Sequence, residues 1–367
     1  MAGLYIHVPF CVRKCGYCDF YSVPETRAGL TEYIRSLINE ISLRADKLSR
    51  DEAVRTIYFG GGTPSLLSPG QLDLIFKKIQ QTFRVSNNPE ISIEVNPGAV
   101  SQKALDAYRD LGIHRISVGV QSFHDYELEM LGRIHSARTA LQFIRHLKET
   151  GWENVGIDLI YGLPEQSVDD WKKTLKKTAD LRPAHISAYA LSWSPGTVLG
   201  RRITNGELPE PDEDRISDMY LFTHDYLARM DYEHYEISNF ARPGFRCAHN
   251  EAYWTGADYL GFGPSAHSFC QNRRFWNTAD VKQYNSVLLH NQLPVAGEEF
   301  LTKKQQILEK MALGLRRKEG VPVSDFGNGE KLNELVKKGL ALMNKGRLTL
   351  TARGFLLADE LAVYLTP

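Results

Sequence analysis

No stretch of this chain approaches the ~18 consecutive apolar residues that a membrane-spanning helix needs, and neither sign of charge prevails. Lys and Arg together number 44, Asp and Glu together number 44, and the formal net charge at pH 7 is zero. That balance argues against a general binder of nucleic acid or membrane surfaces, which relies on surplus cations. Residues Met1 to Pro9 lack a basic segment followed by an apolar one, so no secretory signal is read there. Cysteine is scarce. Five residues, an odd number, do not describe a disulfide framework and suit a reducing, cytoplasmic setting. Low-complexity segments are missing too, and no repeat stands out beyond an alternation of strand-like and helix-like stretches. What remains is an ordinary globular composition, with 367 residues, enough for two or three domains.

The alternation carries the fold. Short β-branched runs predict strands at 4–8, 56–59, 91–95, 115–120, 155–160 and 185–190. Between them, apolar residues at helical spacing predict helices at 31–48, 69–83, 102–111, 137–150 and 168–181. Repeated βα units imply a parallel sheet, doubly wound or barrel-like. Polar residues stand late in or just after most strands: Gly60-Gly61-Gly62-Thr63, Glu94, Gln121, Asp158 and Ser192. Strand ends facing one mouth would gather all of these on one ligand, which favours a barrel, incomplete with six strands, over an open sheet. The expected organisation is an α/β chain in three parts. Residues 1–195 form a (β/α)6 TIM-like partial barrel, and 196–300 a connector with a loop-built site at 242–263. Residues 301–367 form a small, mainly helical, winged-helix-like module with a structural role.

Three of the five cysteines, Cys11, Cys15 and Cys18, fall within eight residues, spaced C-x3-C-x2-C. This is one thiolate short of a closed zinc site. Three thiolates on one loop can hold three irons of a [4Fe–4S] cube and leave the fourth open to a ligand that is not protein. The alternative is a partial zinc site or unrelated core cysteines. The arrangement resembles the radical S-adenosylmethionine (SAM) superfamily, in which SAM chelates that open iron.

Further motifs sharpen the resemblance. Tyr5-Ile-His-Val-Pro-Phe-Cys, Gly60-Gly-Gly-Thr-Pro, Ile93-Glu-Val-Asn-Pro, Ser117-Val-Gly-Val-Gln-Ser, Leu131-Gly-Arg and Ile157-Asp-Leu-Ile-Tyr-Gly-Leu-Pro resemble the oxygen-independent coproporphyrinogen III oxidase family of radical SAM proteins. The resemblance implies cluster ligation by Cys11, Cys15 and Cys18. It also implies SAM contacts from Tyr5, Tyr17, Gly61, Gly62, Thr63, Glu94, Gln121, Arg133 and Asp158. The residue types suit that ligand. Glycines let backbone approach it, carboxylates in apolar strands need a cation, and arginine pairs with a carboxylate. No Gly-Lys-Ser/Thr follows Gly62, so a phosphate loop is not indicated. The tyrosines could equally be core packing, Glu94 and Asp158 a structural ion pair or cap, and Arg133 a surface salt bridge.

Two departures separate the chain from the oxidases. Phe20 stands where they carry a fourth cysteine, and only four residues precede Tyr5 where they carry an extension. The stretch His249-Asn250-Glu251-Ala252-Tyr253-Trp254 instead resembles the H-N-x-x-Y-W motif of haem chaperones related to them. An imidazole can ligate haem iron, and Asn250, Tyr253 and Trp254 can orient it and flank a porphyrin; a packed, hydrogen-bonded loop is the alternative. The resemblance implies a protein carrying a SAM-bound [4Fe–4S] cluster, with haem and His249 on its iron. It also implies a haem-acceptor protein and an electron donor as partners. Oxidative decarboxylation of coproporphyrinogen III is the enzymatic alternative. Cys247 and Cys270 read as buried thiols.

Overall fold

Six strands line up in sequence order, each parallel to the last: Ala2–Val8, Val54–Gly61, Val85–Val95, Arg115–Gln121, Asn154–Tyr161 and His185–Ala190. They form the centre of a computed structural model that describes residues 2–48, 52–326 and 329–366. Helices Arg27–Leu43, Pro69–Thr82, Gln102–Asp110, Ala137–Glu149 and Val168–Asp180 cover the outer face, as the βα pattern predicts. Each starts on a hydroxyl: Thr26, Ser68, Ser101, Ser136 and Ser167 accept from backbone amides in the first turn, satisfying donors the helix cannot.

The barrel does not close. The first strand pairs on its outer edge with Tyr259–Phe262, and the sixth pairs antiparallel with Asn239–Ala241, so the sheet runs on to twelve strands. Three of these, His267–Cys270, Arg273–Asn277 and Val295–Phe300, were not predicted: the first is only four residues long, and Arg and Glu mask the alternation in the other two. The 242–263 region is also not the loop expected; it contains a helix, Ala248–Trp254, and the strand Tyr259–Phe262.

A buried polar knot ties the first helix to the late strands. Glu40, fully buried, accepts from Arg44 (3.0 Å), Asn277 (2.7 Å), Tyr284 (2.7 Å) and the Gly263 amide (2.9 Å). Beyond Phe300, the helix Lys303–Leu315 leads into a three-stranded sheet of Val321–Pro322, Ala341–Asn344 and Arg347–Leu350. Helices Gly329–Lys337 and Ala358–Leu365 complete a winged-helix-like arrangement.

Candidate functional site

The segment after the first strand crosses the mouth at the C-terminal ends of the parallel strands, and it is clamped there. The Gly16 amide donates to the Leu131 carbonyl (2.9 Å), the Gly16 carbonyl accepts from the Leu199 amide (2.8 Å), and Arg13 donates to the Gly132 carbonyl (2.9 Å). Tyr17 packs on a satellite apolar cluster that includes Leu131, Ile160, Leu191 and Leu199. The clamp leaves Cys11, Cys15 and Cys18 half-buried, as free thiols bordering an interior cavity of about 460 Å3. Among the described residues, no three His, Cys, Asp or Glu side chains are placed to hold a single metal ion. The three thiols border one space, where a multinuclear group could be touched at separate corners.

Gly61, Gly62, Thr63, Glu94, Gln121, Arg133 and Asp158 border the same cavity. Glycine is required at position 62: a Cβ there would lie 2.6 Å from the Phe10 carbonyl and 3.0 Å from Cys11 Sγ. Gly61 has φ +107°, in the region L side chains avoid. Its amide donates to Glu94 (3.2 Å), which also accepts from the Tyr58 phenol (3.0 Å). Burial, reinforced by the charge of Asp158, raises the Glu94 carboxyl to about 7. Burial raises Asp158 as well, opposed by its hydrogen bonds to Ser187 and Ser117, the latter at 2.8 Å. Arg133 donates to Cys15 Sγ (3.3 Å), Asn96 (2.5 Å) and the Gly119 carbonyl (2.7 Å), while its buried Nε has no partner. It is not a surface salt bridge. Glycine backbone, two buried carboxyls and a guanidinium with a spare donor suit a ligand bearing both a cation and a carboxylate, as SAM does.

Tyr5 does not border the cavity. Its phenol hydrogen-bonds His7 Nδ1 (3.2 Å) and its ring stacks on Tyr58. Tyr58, Asn96, Ser117 and Ser187 line the space unpredicted. The signal was available: Ser117 and Asn96 sit inside the motifs quoted above, and Tyr58 is in phase with Gly60 on an inward-facing strand.

The helix Ala248–Trp254 plugs the opposite, N-terminal end of the strands. Glu90 accepts from the Ala248 and His249 amides (3.0 and 2.9 Å). His249 is buried, with Nδ1 on Thr56 Oγ1 (2.8 Å), Nε2 on the Tyr253 phenol (2.9 Å) and its ring against Tyr58. Burial lowers its imidazole to about 3. Both nitrogens are engaged, so a place on iron requires the Tyr253 bond to open. Tyr253 and Trp254 border a second cavity, about 1040 Å3, between this helix and the C-terminal elements; Asn250 and Tyr189 border both cavities. Cys247 and Cys270 are buried thiols, Cys247 at the floor of the interior cavity.

The radical SAM superfamily model matches residues 5–178. The haem chaperone HemW of Lactococcus lactis subsp. lactis is 38% identical to this chain, over 97% of this chain and 95% of its own length. HemW of Bacillus subtilis is 32% identical over 98% of each, and the mitochondrial radical S-adenosyl methionine domain-containing protein 1 of Bos taurus is 32% identical over 99% and 87%. Among solved structures, coproporphyrinogen III oxidase (HemN) from Escherichia coli, a radical SAM enzyme, superimposes with TM-score 0.84 at 27% identity. That match covers 100% of this chain and 90% of the oxidase.

Proposed function

The chain belongs to the HemW family of radical SAM proteins, and on that premise we propose that it binds haem and passes it to an acceptor protein. Membership implies SAM and a [4Fe–4S] cluster; ligation by Cys11, Cys15 and Cys18 is part of the proposal. When bound, the cluster offers an iron position for SAM and a route for single electrons from a donor protein. The residues present do the holding. Gly61 and Gly62 would give backbone access, Glu94 and Asp158 would pair with the cationic part of SAM, and Arg133 would offer its free donor to the carboxylate.

The observation that carries the haem reading is the conformation of the His249–Trp254 motif. It forms one short helix, held by Glu90, whose Asn250 touches the interior cavity while Tyr253 and Trp254 face outward into the larger one. His249 supports this by fixing the Tyr253 phenol. Its expected role on iron belongs to a conformation in which that bond is open.

The likeness to the Escherichia coli oxidase favours one second reading, oxidative decarboxylation of coproporphyrinogen III. Against it, Phe20 replaces the fourth cysteine and its ring is 68% exposed at the mouth, where it ligates nothing. Reduced, cluster-replete protein given SAM and coproporphyrinogen III should release no CO2; turnover would establish the enzyme instead. Among the described residues no helix is long and apolar enough to cross a membrane.

A further inference from the structure

The larger cavity is lined by side chains with buried polar atoms that the fold leaves poorly satisfied. Both carboxyl oxygens of buried Glu236, Trp254 Nε1, Arg316 Nε and Arg317 Nε all lack a hydrogen-bond partner of good geometry, and all four residues line this one space. Burial raises the Glu236 carboxyl to about 7, opposed by loose hydrogen bonds from Asn239, the Ser238 amide and Trp254 and by the charge of Arg316. A buried orphan costs roughly 1–3 kcal/mol, and the two arginines are donors short of acceptors, which an anionic ligand in this space supplies.

The cavity's shape and charge describe that ligand. At about 1040 Å3 it is more than twice the interior cavity, near the upper end of the ~300–1,000 Å3 typical of small-molecule sites. Tyr253, Trp254, Phe269, Leu301 and Leu313 supply broad apolar surface. Five lining residues are cationic (Arg274, Lys310, Arg316, Arg317, Arg347) against two acidic ones (Glu236, Glu309). The cations are not equally available. Arg274 is held by Glu309 and Glu299, Lys310 by Asp325, and Arg347 by the Glu319 and Gly320 carbonyls. Arg316 and Arg317 each make one ion pair, to Asp359 and Glu319, and keep spare donors. The Arg316 guanidinium also lies 5.5 Å from the Trp254 ring centroid, so charge and aromatic face adjoin. A large, apolar, aromatic-stacking anion suits the side of this space formed by Trp254, Arg316 and Arg317.

We propose that the cleft between the Ala248–Trp254 and Lys303–Leu315 helices seats the porphyrin against Tyr253 and Trp254, with Arg316 and Arg317 holding its two propionates. This rests on the haem reading above and adds a part for the C-terminal elements: they form one jaw of the seat.

Haem and haem dimethyl ester, which has no anionic propionates, separate the two ideas. Full-length, cluster-reconstituted protein is titrated with each, following the visible spectrum and tryptophan fluorescence. Wild type should prefer haem over the ester by roughly ten- to hundredfold, the strength of charge-assisted hydrogen bonds. The double variant Arg316→Gln/Arg317→Gln should lose that preference while binding the ester as wild type does. Leu313→Trp, which fills the cleft from the helix side, should weaken both ligands. Equal wild-type affinity for the two ligands overturns the proposal without needing any variant to fold, as does a Gln variant that still discriminates. Wild type that binds no haem at all overturns the haem reading itself.

Discussion

Replacing Glu94 by Gln should change how stability depends on pH, with a sign the site fixes in advance. Burial and the neighbouring Asp158 raise the native carboxyl from 4.5 to about 7. Between those values the folded protein keeps a proton that the unfolded chain has released, so stability falls as pH rises. The penalty is absent below about pH 4.5 and complete above about pH 7. At roughly 1.4 kcal/mol per pH unit, it reaches about 3 kcal/mol. This is an upper bound, because the carboxyl has one side on the cavity, where water screens it. Asp158 is coupled to Glu94, and removing one charge eases the other, so the measured difference belongs to the pair. Urea unfolding of ligand-free wild type and Glu94→Gln at pH 5, 6, 7 and 8 reads it directly. The wild-type curve should drop relative to the variant by about 2–3 kcal/mol across that range. A bound sulfonium favours the ionised carboxyl, so wild-type SAM affinity should rise from pH 6 to 8 and stay flatter in the variant. Parallel stability curves would refute the reasoning about burial.

Gly62→Ala places a methyl against the Phe10 and Val8 carbonyls, at 2.6 and 2.9 Å, and backbone cannot step aside cheaply. It should lower stability by about 1–3 kcal/mol and reduce the iron and sulfide taken up on reconstitution. Cys15→Ser should abolish that uptake while leaving the fold intact by circular dichroism; full iron and sulfide would mean the ligands are misassigned. Glu40→Ala leaves Arg44, 1% exposed, with Asn277 as its remaining side-chain acceptor among the described residues (2.7 Å). This should cost about 3–5 kcal/mol in urea unfolding, whereas Glu40→Gln, which keeps one acceptor oxygen for the knot, should cost less.

Most of the barrel was legible because its strands are buried on both faces and its helices on one. The six parallel strands read as β-branched runs, and each helix announces itself with a Ser or Thr cap. Strand ends were less so. Val85–Asn88 extends the third strand with polar residues, and the first helix stops at Leu43 although apolar spacing continues to Leu48. The late strands escaped because their neighbours, not their own patterns, make them strands. Arg273 and Arg274 are held across the sheet by Glu298 and Glu299, and Arg274 also by Glu309 on the following helix, a pairing no single segment reveals. At the mouth, strand-end position singled out Gly61, Gly62, Thr63, Glu94, Gln121 and Asp158, the family resemblance added Tyr17 and Arg133, and all of these border one cavity. Tyr5 was the exception, since its inward phase leads to Tyr58 and His7 rather than to open space. His249 shows the limit most plainly. A histidine in a motif reads as a ligand, yet its hydrogen bonds to Thr56 and Tyr253 come from a strand some 190 residues away in sequence and from its own helix.

The most direct test of the central claim is an anaerobic haem titration of the cluster-reconstituted protein, followed by its visible spectrum, with His249→Ala alongside. The account predicts saturation at one haem per chain and weaker binding in the variant, whose Tyr253 phenol is no longer fixed, with cluster and SAM binding unchanged. Haem uptake that never saturates, or no uptake at all, would contradict it and direct attention to coproporphyrinogen turnover.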